Sequence, residues 1–287
     1  MPHNFLILYD SREGSSAIVQ KLSKIDGIAV PVFEELDAYW IRKFQPRDDI
    51  VQELDRVFTE RRYRHDTDYG LRNSIVVHPD PDRAESVGFK WRPHGNPVAV
   101  RDVLRKHDVM VFALFRRDLI EITSSYYLTK TLHKSHGSLT GRMHHLQFKL
   151  AKMGDEERRQ AKKIIDGTEV PLNLPLFFLY MGHRVWKVFR TRLFLIWLRW
   201  NGLRTDVVHY EDFRDDSDRF MNDFLDRIDI ASRGQRQGEP RGRLEKTSSR
   251  APQERIRNFW MVRYNPLTWG LVALYWPLMR KPARSPD

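Results

Sequence analysis

The segment DVMVFALF (108–115) is a run of apolar residues that has the length of a single β-strand. Such a short run predicts a strand that is buried inside a sheet. Further candidate strands occur at 5–10, 28–33, 86–91 and 205–213. Helical spacing of apolar residues follows most of these runs, for example at 15–25. Strands that alternate with helices favour an α/β fold with a central, mostly parallel sheet flanked by helices.

The composition indicates a folded protein that binds anions. The 287 residues are 41% hydrophobic, and 49 Lys and Arg face 38 Asp and Glu, for a net charge of +11. A basic balance favours phosphates, sulfated sugars, nucleic acid or a membrane surface as partners. The chain has no cysteine, which excludes disulfides, thiolate metal sites and a cysteine nucleophile. Because the chain begins without a basic leader, we expect a cytoplasmic protein.

Two longer segments combine apolar, aromatic and basic residues. They are LPLFFLYMGHRVWKVFRTRLFLIWLRW (174–200), which contains five Arg or Lys, and NPLTWGLVALYWPLMRK (265–281), which is interrupted by Pro277. Neither contains the run of about 18 apolar residues that a membrane-spanning helix needs. We interpret both as buried helices, with attachment to a membrane surface as the alternative. A stretch at 232–252 that is rich in Arg, Gly, Ser and Gln predicts a mobile loop.

The turn SREGSS, which follows the first predicted strand, has the composition of an anion site. A helix that begins here directs unpaired backbone N–H groups and the positive end of its dipole into the turn. Gly14 permits close approach of the backbone, Ser15 and Ser16 add hydroxyl donors, and Arg12 can bind phosphate or sulfate oxygens. Glu13 completes the candidate loop. The alternative is an ordinary turn in which a serine caps the helix.

The turn differs from the phosphate loop of nucleotide triphosphatases, which needs a lysine directly before the hydroxyl residue. SREGSS instead resembles the 5′-phosphosulfate loop of sulfotransferases that use 3′-phosphoadenosine 5′-phosphosulfate (PAPS). In that family a basic residue, a spacer, a glycine and two hydroxyl residues follow the first strand. The resemblance implies a P-loop-like sulfotransferase fold with PAPS as the sulfuryl donor and no metal.

A second motif in FALFRRDLIEITSSYY supports the same resemblance. The family motif RDxxxxxxSxY follows a later buried strand, and its arginine and serine hold the 3′-phosphate of the donor. Arg117 and Ser125 have this eight-residue spacing, and Asp118 and Tyr127 also match. The resemblance therefore implies that Arg117 and Ser125 bind the 3′-phosphate. The alternative for this segment alone is a strand that leads into a charged helix end.

Softer matches follow in the expected order along the chain. VFEELD resembles the YEPL-like segment of carbohydrate sulfotransferases, and SVGFKW resembles their (I/V)GxK strand. VVHYEDF resembles their RYEDL strand, and EKTSSRAPQERIRNF resembles their C-terminal serine-rich loop and helix. The first match makes Glu34 the candidate general base, with Glu35 in reserve, and Arg12 then stabilises the leaving group. The last match makes Lys246, Ser248 and Arg250 candidates for closing over the donor.

The resemblance implies one sulfotransferase domain over 1–287, with a helical acceptor-binding insertion at 130–200 and an apolar C-terminal extension at 264–287. The implied acceptor is a hydroxyl of a carbohydrate, a lipid or a secondary metabolite. We expect the adjacent pair His144 and His145 to hold no metal, because neighbours on a helix point about 100° apart. Lys90 ends a strand near the site, a position where lysines are usually solvated.

The alternative function is a basic module that binds nucleic acid or an anionic membrane without catalysis. It predicts an affinity that falls steeply with salt and does not depend on a 3′-phosphate. The chain contains no recognisable nucleic-acid motif, which favours the enzyme.

Overall fold

The computed structural model describes residues 4–10, 13–31, 50–61, 84–92, 96–135, 166–230 and 250–280, together with Glu156, Arg159 and Lys163. The strands within these ranges are β1 (Asn4–Leu8), β2 (Ile28–Ala29), β3 (Ser86–Trp91), β4 (Val109–Phe115), β5 (Val170–Pro171), β6 (Thr205–His209) and β7 (Ile256–Arg257). The α-helices are α1 (Ser15–Leu22), α2 (Ile50–Glu60), α3 (Pro97–Lys106), α4 (Leu119–Ser135), α5 (Leu174–Trp200), α6 (Tyr210–Asp215), α7 (Ser217–Arg227), α8 (Trp260–Arg263) and α9 (Pro266–Tyr275). Short 3-10 helices cover Pro252–Arg255 and Trp276–Met279.

The described residues form two compact units. The first comprises those within Met1–Phe115 and Arg190–Arg241, and the second those within Arg116–Phe189 and Gly242–Arg280.

The first unit is built on a five-stranded parallel sheet with the order β2-β3-β1-β4-β6. β1 is the central strand, and its last residue, Leu8, lies beside Trp91 of β3 and Ala113 of β4. Every residue of β3 and β4 is buried. The sheet confirms the predicted α/β fold with a parallel central sheet, and it places the carboxyl ends of its strands at one edge.

Aromatic side chains pack one face of this sheet. The Phe224 ring of α7 stacks on Phe112 of β4 with a centroid distance of 4.2 Å, and it meets the edge of Phe5 of β1 at 5.3 Å. Phe5 lies beside Gly88 of β3, where a Cβ atom would be 2.4 Å from the Phe5 ring. Position 88 therefore requires glycine, because the Phe5 ring occupies the space that any side chain at this position would need.

Two helices of the first unit, α3 and α7, have polar side-chain caps at their N-termini. The side chain of Asn96 accepts a hydrogen bond from Val98 N (3.0 Å) and precedes Pro97, the first residue of α3. Asp216 accepts from Arg219 N (3.0 Å) at the start of α7. Such caps satisfy backbone donors that have no acceptor within the helix.

The predicted strand at 205–213 is too long. β6 ends at His209, and Tyr210 already begins the helix α6. Glu211 and Asp212 lie in the first turn of that helix, where the dipole favours negative side chains. Of the predicted strand at 28–33, β2 covers Ile28–Ala29, and residues 32–49 lie outside the described part of the chain. The helix α2 follows these residues.

The second unit is organised around α4. The hydroxyl of Tyr127, a residue that is 1% exposed, donates to Pro171 O and accepts from Asn173 N, both at 2.7 Å. These bonds fix the segment of β5, which pairs in parallel with β7 through Val170 and Ile256. Tyr127 is a core residue here.

The two apolar segments form helices that are buried on only part of their surface. In α5, Phe177 and Leu198 are fully buried, whereas Trp186 and Trp200 are exposed. The segment from α8 to the second 3-10 helix also exposes several large apolar side chains. Each of these helices therefore buries some of its side chains, as predicted, and exposes others. Among the helices in the described ranges, none is both long enough and apolar enough to cross a bilayer.

Candidate functional site

The turn between β1 and α1 lies at the carboxyl edge of the sheet, beside its central strand. From β1 the chain builds β2 and β3 on one side of the strand, and it then crosses to β4 on the other side. Open α/β sheets bind ligands at such a switch point, outside the carboxyl ends of the strands. The topology therefore places the predicted anion loop where a ligand site is expected.

Gly14 in this turn has a backbone conformation and a neighbour that both require glycine. Its φ is +81°, in the left-handed region that disfavours other L residues. A Cβ atom at this position would lie 2.1 Å from Cδ2 of Tyr210, the first residue of α6. The Tyr210 ring therefore lies directly against the backbone of the turn.

The first turn of α1 has no side-chain cap. Ala17 N donates to Gly14 O (3.0 Å) and begins the helical ladder, so the N–H groups of Ser15 and Ser16 precede its first bond. Ser15 is 5% exposed, and Ser16 is half-buried. The predicted alternative of a serine cap is wrong, because glycine occupies the cap position. An uncapped helix start is a site that suits an anion.

Lys90 places a cation next to the N-terminus of α1. It is the fifth residue of β3, only 2% exposed, and its Nζ donates to Ser16 Oγ at 2.8 Å. Nζ also lies 5.3 Å from the centroid of the Tyr9 ring. The expectation that this lysine is solvated is wrong. The ammonium group and the α1 N-terminus both favour negative charge beside Ser16.

Glu13 has a different role from the other loop residues. Its side chain is 2% exposed, and Oε2 accepts a hydrogen bond from Asp10 N at 2.6 Å. The carboxylate therefore closes the turn on itself and holds the backbone that precedes Gly14. This hydrogen bond gives Glu13 a role in the shape of the loop, and its place among the residues that bind the donor stays a prediction.

In the second unit, the matched arginine and serine lie at the start of α4. Asp118 Oδ1 accepts from Glu121 N (2.8 Å), which makes Asp118 the cap of this helix. Ser125 follows Asp118 by seven residues, close to two full turns, and is therefore on the same side of the helix as the cap. Arg117 and Ser125 are both half-buried. Their shared role in binding a phosphate stays a prediction.

The neighbouring Arg116 has an internal partner. Its Nη2 forms an ion pair with Glu121 Oε1 at 2.6 Å, and its carbonyl oxygen accepts from the hydroxyl of Tyr275 at 2.6 Å. Arg116 therefore joins the start of α4 to the end of α9 within the second unit.

Arg250 also contacts the protein's own backbone. Its Nη1 donates to Asp166 O (3.0 Å), and its Nη2 donates to Glu254 O (2.7 Å). Burial lowers the pKa of the nearby Arg255, Asp166 opposes that shift, and Arg250 adds to it. These contacts give Arg250 a structural role, and its role in binding the donor stays a prediction.

The other predicted site residues lie outside the described part of the chain: Arg12, Glu34, Glu35, Lys246 and Ser248. Within the described ranges, no three His, Asp or Glu side chains cluster as metal ligands.

No family model matches the sequence, and no curated protein matches it. Among solved structures, the chain is similar to a sulfotransferase from Alicyclobacillus acidocaldarius, with 16% identity and a TM-score of 0.45 over 97% of this chain and 96% of that one. It is also similar to a sulfotransferase domain from the curacin biosynthetic pathway, with 12% identity and a TM-score of 0.37 over 98% of this chain and 93% of that one. Both similar structures are thus sulfotransferases, and both likenesses are weak.

Proposed function

We propose that the protein is a PAPS-dependent sulfotransferase that transfers a sulfuryl group to a hydroxyl of a carbohydrate, a lipid or a secondary metabolite. The observation that carries the proposal is the site at the α1 N-terminus, where Gly14, the uncapped N–H groups and the buried Lys90 meet at Ser16. These groups fit the negatively charged 5′-phosphosulfate end of the donor.

The loop residues then promote an in-line transfer. The acceptor oxygen forms a bond to sulfur while the bond from sulfur to the bridging oxygen of the 5′-phosphate breaks, and adenosine 3′,5′-bisphosphate leaves. The N–H groups of Ser15 and Ser16, together with Lys90 and Arg12, stabilise the negative charge that develops on that bridging oxygen. Such a reaction depends mainly on positioning and charge stabilisation, as phosphoryl transfer does.

Arg117 and Ser125 bind the 3′-phosphate of the donor in this proposal, with Lys246, Ser248 and Arg250 as further contacts. A guanidinium group forms two parallel hydrogen bonds to a phosphate, and a serine hydroxyl adds a third donor. The second unit would thereby distinguish PAPS from nucleotides that lack a 3′-phosphate.

Glu34 is the proposed general base that accepts the proton of the acceptor hydroxyl, with Glu35 in reserve. A general base contributes about 10² to 10⁴ in rate. Once an acceptor is identified, Glu34→Gln should therefore reduce kcat by a factor of about 10² or more and leave donor binding intact. Near-normal turnover of this variant would remove Glu34 from the mechanism.

Calorimetry with adenosine 3′,5′-bisphosphate tests the donor site. We expect binding that weakens about 10- to 100-fold in Lys90→Met, because a charge-assisted hydrogen bond is lost. The matched control Lys24→Met changes a lysine of the same unit beyond the end of α1. Arg117→Ala should weaken the bisphosphate but leave adenosine 5′-phosphate unaffected, whereas the adjacent Arg116→Gln should spare both.

Two results would overturn the proposal. The first is no binding of the bisphosphate by the folded protein. The second is an equal affinity for nucleotides with and without the 3′-phosphate, combined with tighter, steeply salt-dependent binding of an oligonucleotide. That combination would support the non-catalytic basic module instead.

A further inference from the structure

The helix α9 is apolar over its whole circumference and yet lies at the surface. Its ten residues, PLTWGLVALY, contain no charged side chain, and Thr268, which bears a polar hydroxyl, is fully buried. A helix that is apolar on all sides normally lies inside a protein or in contact with lipid. The outer side of α9 therefore needs a partner of matching chemistry.

The inner side of this segment is anchored to the second unit. Val262 and Thr268 are 0% exposed, and Thr268 Oγ1 donates to Val262 O at 2.6 Å. Tyr275 is 1% exposed, and its hydroxyl donates to Arg116 O. These contacts fix which side of α9 faces outward.

The segment from α8 to the second 3-10 helix exposes several large aromatic and aliphatic side chains. Tyr264 is 74% exposed, Trp260 is 62% exposed, and Trp269 and Trp276 are each 55% exposed. We name this surface the tryptophan face and define it by Trp260, Tyr264, Leu267, Trp269, Leu274 and Trp276. Trp and Tyr are the residues that proteins place at the boundary between lipid and water.

The charge of the same segment has one sign. Between 256 and 286 the chain contains five Arg or Lys and no Asp or Glu. Of these cations, Arg263 and Arg280 belong to the described residues and are exposed, whereas Arg257 forms an ion pair with Glu169 at 3.4 Å. Cations that flank an apolar face attract the negative surface of anionic lipids.

We propose that the tryptophan face docks the protein onto an anionic lipid surface. Its aromatic and leucine side chains enter the interfacial layer, and the flanking arginines contact the headgroups. An anionic bilayer matches both the exposed apolar side chains and the positive charge of this segment, because it offers apolar and anionic contacts together. A second copy of the chain agrees less well, since a symmetric contact would bring two positively charged segments against each other.

Vesicle flotation of the 287-residue chain tests the proposal. We expect binding to vesicles of phosphatidylcholine and phosphatidylglycerol at 3:1, and much weaker binding to phosphatidylcholine alone. The double variant Trp260→Ala and Trp276→Ala should weaken binding by about tenfold or more. Trp200→Ala is the matched control, because Trp200 is 83% exposed and belongs to the first unit.

The charge contribution has its own test. The double variant Arg263→Gln and Arg280→Gln should reduce binding by about 25-fold, since each arginine near an anionic surface contributes about fivefold. Arg214→Gln is the control, because Arg214 is also exposed but belongs to the first unit, and it should have no comparable effect on vesicle binding.

Three results would overturn the proposal. They are no binding to anionic vesicles, equal weakening by Trp200→Ala, or a concentration-dependent dimer in sedimentation that the Trp260 and Trp276 variant abolishes. Circular dichroism confirms that each variant is folded. Calorimetry with adenosine 3′,5′-bisphosphate on the same variants separates this result from the donor site, which they should not affect.

Discussion

Substituting Gly14 by alanine should disrupt the candidate loop for two separable reasons. The left-handed conformation at φ +81° disfavours any residue with a Cβ by about 1–2 kcal/mol. The new methyl group would also lie 2.1 Å from Cδ2 of Tyr210, and such overpacking typically costs about 1–3 kcal/mol. We therefore expect Gly14→Ala to lower the free energy of unfolding by about 2–5 kcal/mol.

A double-mutant cycle in urea separates the two contributions. In a Tyr210→Ala background the ring is absent, so Gly14→Ala should cost only the conformational part, about 1–2 kcal/mol. Gly202→Ala is a matched control, because Gly202 has a φ of +79° but nothing lies within 4 Å of the new Cβ. An equal cost of Gly14→Ala in both backgrounds would refute the contact with Tyr210. A cost below about 1 kcal/mol would refute the left-handed conformation.

Two further perturbations test the packing of each unit. The hydrogen bond from Lys106 lowers the pKa of Asp55 below its usual value of 3.8, burial opposes that shift, and His107 adds to it. Because the pKa is lowered in the folded state, the carboxylate stabilises the protein above about pH 4, and this contribution disappears as the pH falls through the folded-state pKa. Asp55→Asn should thus lower the free energy of unfolding by about 0.5–1 kcal/mol at pH 7, a modest value because the pair is partly exposed, and should have no effect in acid. If urea titrations gave the same difference between variant and wild type at low pH, the charge of Asp55 would not be the cause. In the second unit, Tyr127→Phe leaves Pro171 O and Asn173 N without their hydroxyl partner, so it should lower the free energy of unfolding by about 1–3 kcal/mol in the same assay. Tyr264→Phe is the control and should have no effect, because Tyr264 is exposed. Equal effects of the two substitutions would show that the hydrogen bonds of the Tyr127 hydroxyl contribute little.

The elements of the sheet were predictable because burial demands apolar residues over a strand's length. The run at 108–115 became β4 (Val109–Phe115), and the turn with Gly14 became the loop between β1 and α1. The contact between Gly14 and Tyr210 was not predictable, since these residues are far apart in the chain and meet only because β6 lies next to β4. The end of β6 at His209 was also missed, because a short apolar run does not reveal where its regular pairing stops.

The sequence contains a second signal for the site in Lys90, the charged residue within SVGFKW. β3 lies between β1 and β2 and is buried at all six positions, so a strand of this kind offers no solvated place for a lysine. A charged residue in such a strand must meet a polar group, and its position along the strand indicates which. Asp206 near the amino end of β6 pairs with Arg227 at 2.6 Å, which neutralises it locally. Lys90 instead lies near the carboxyl end, where ligands bind in these sheets, and donates to Ser16 of the loop. The lysine within SVGFKW therefore points to the site independently of the turn itself.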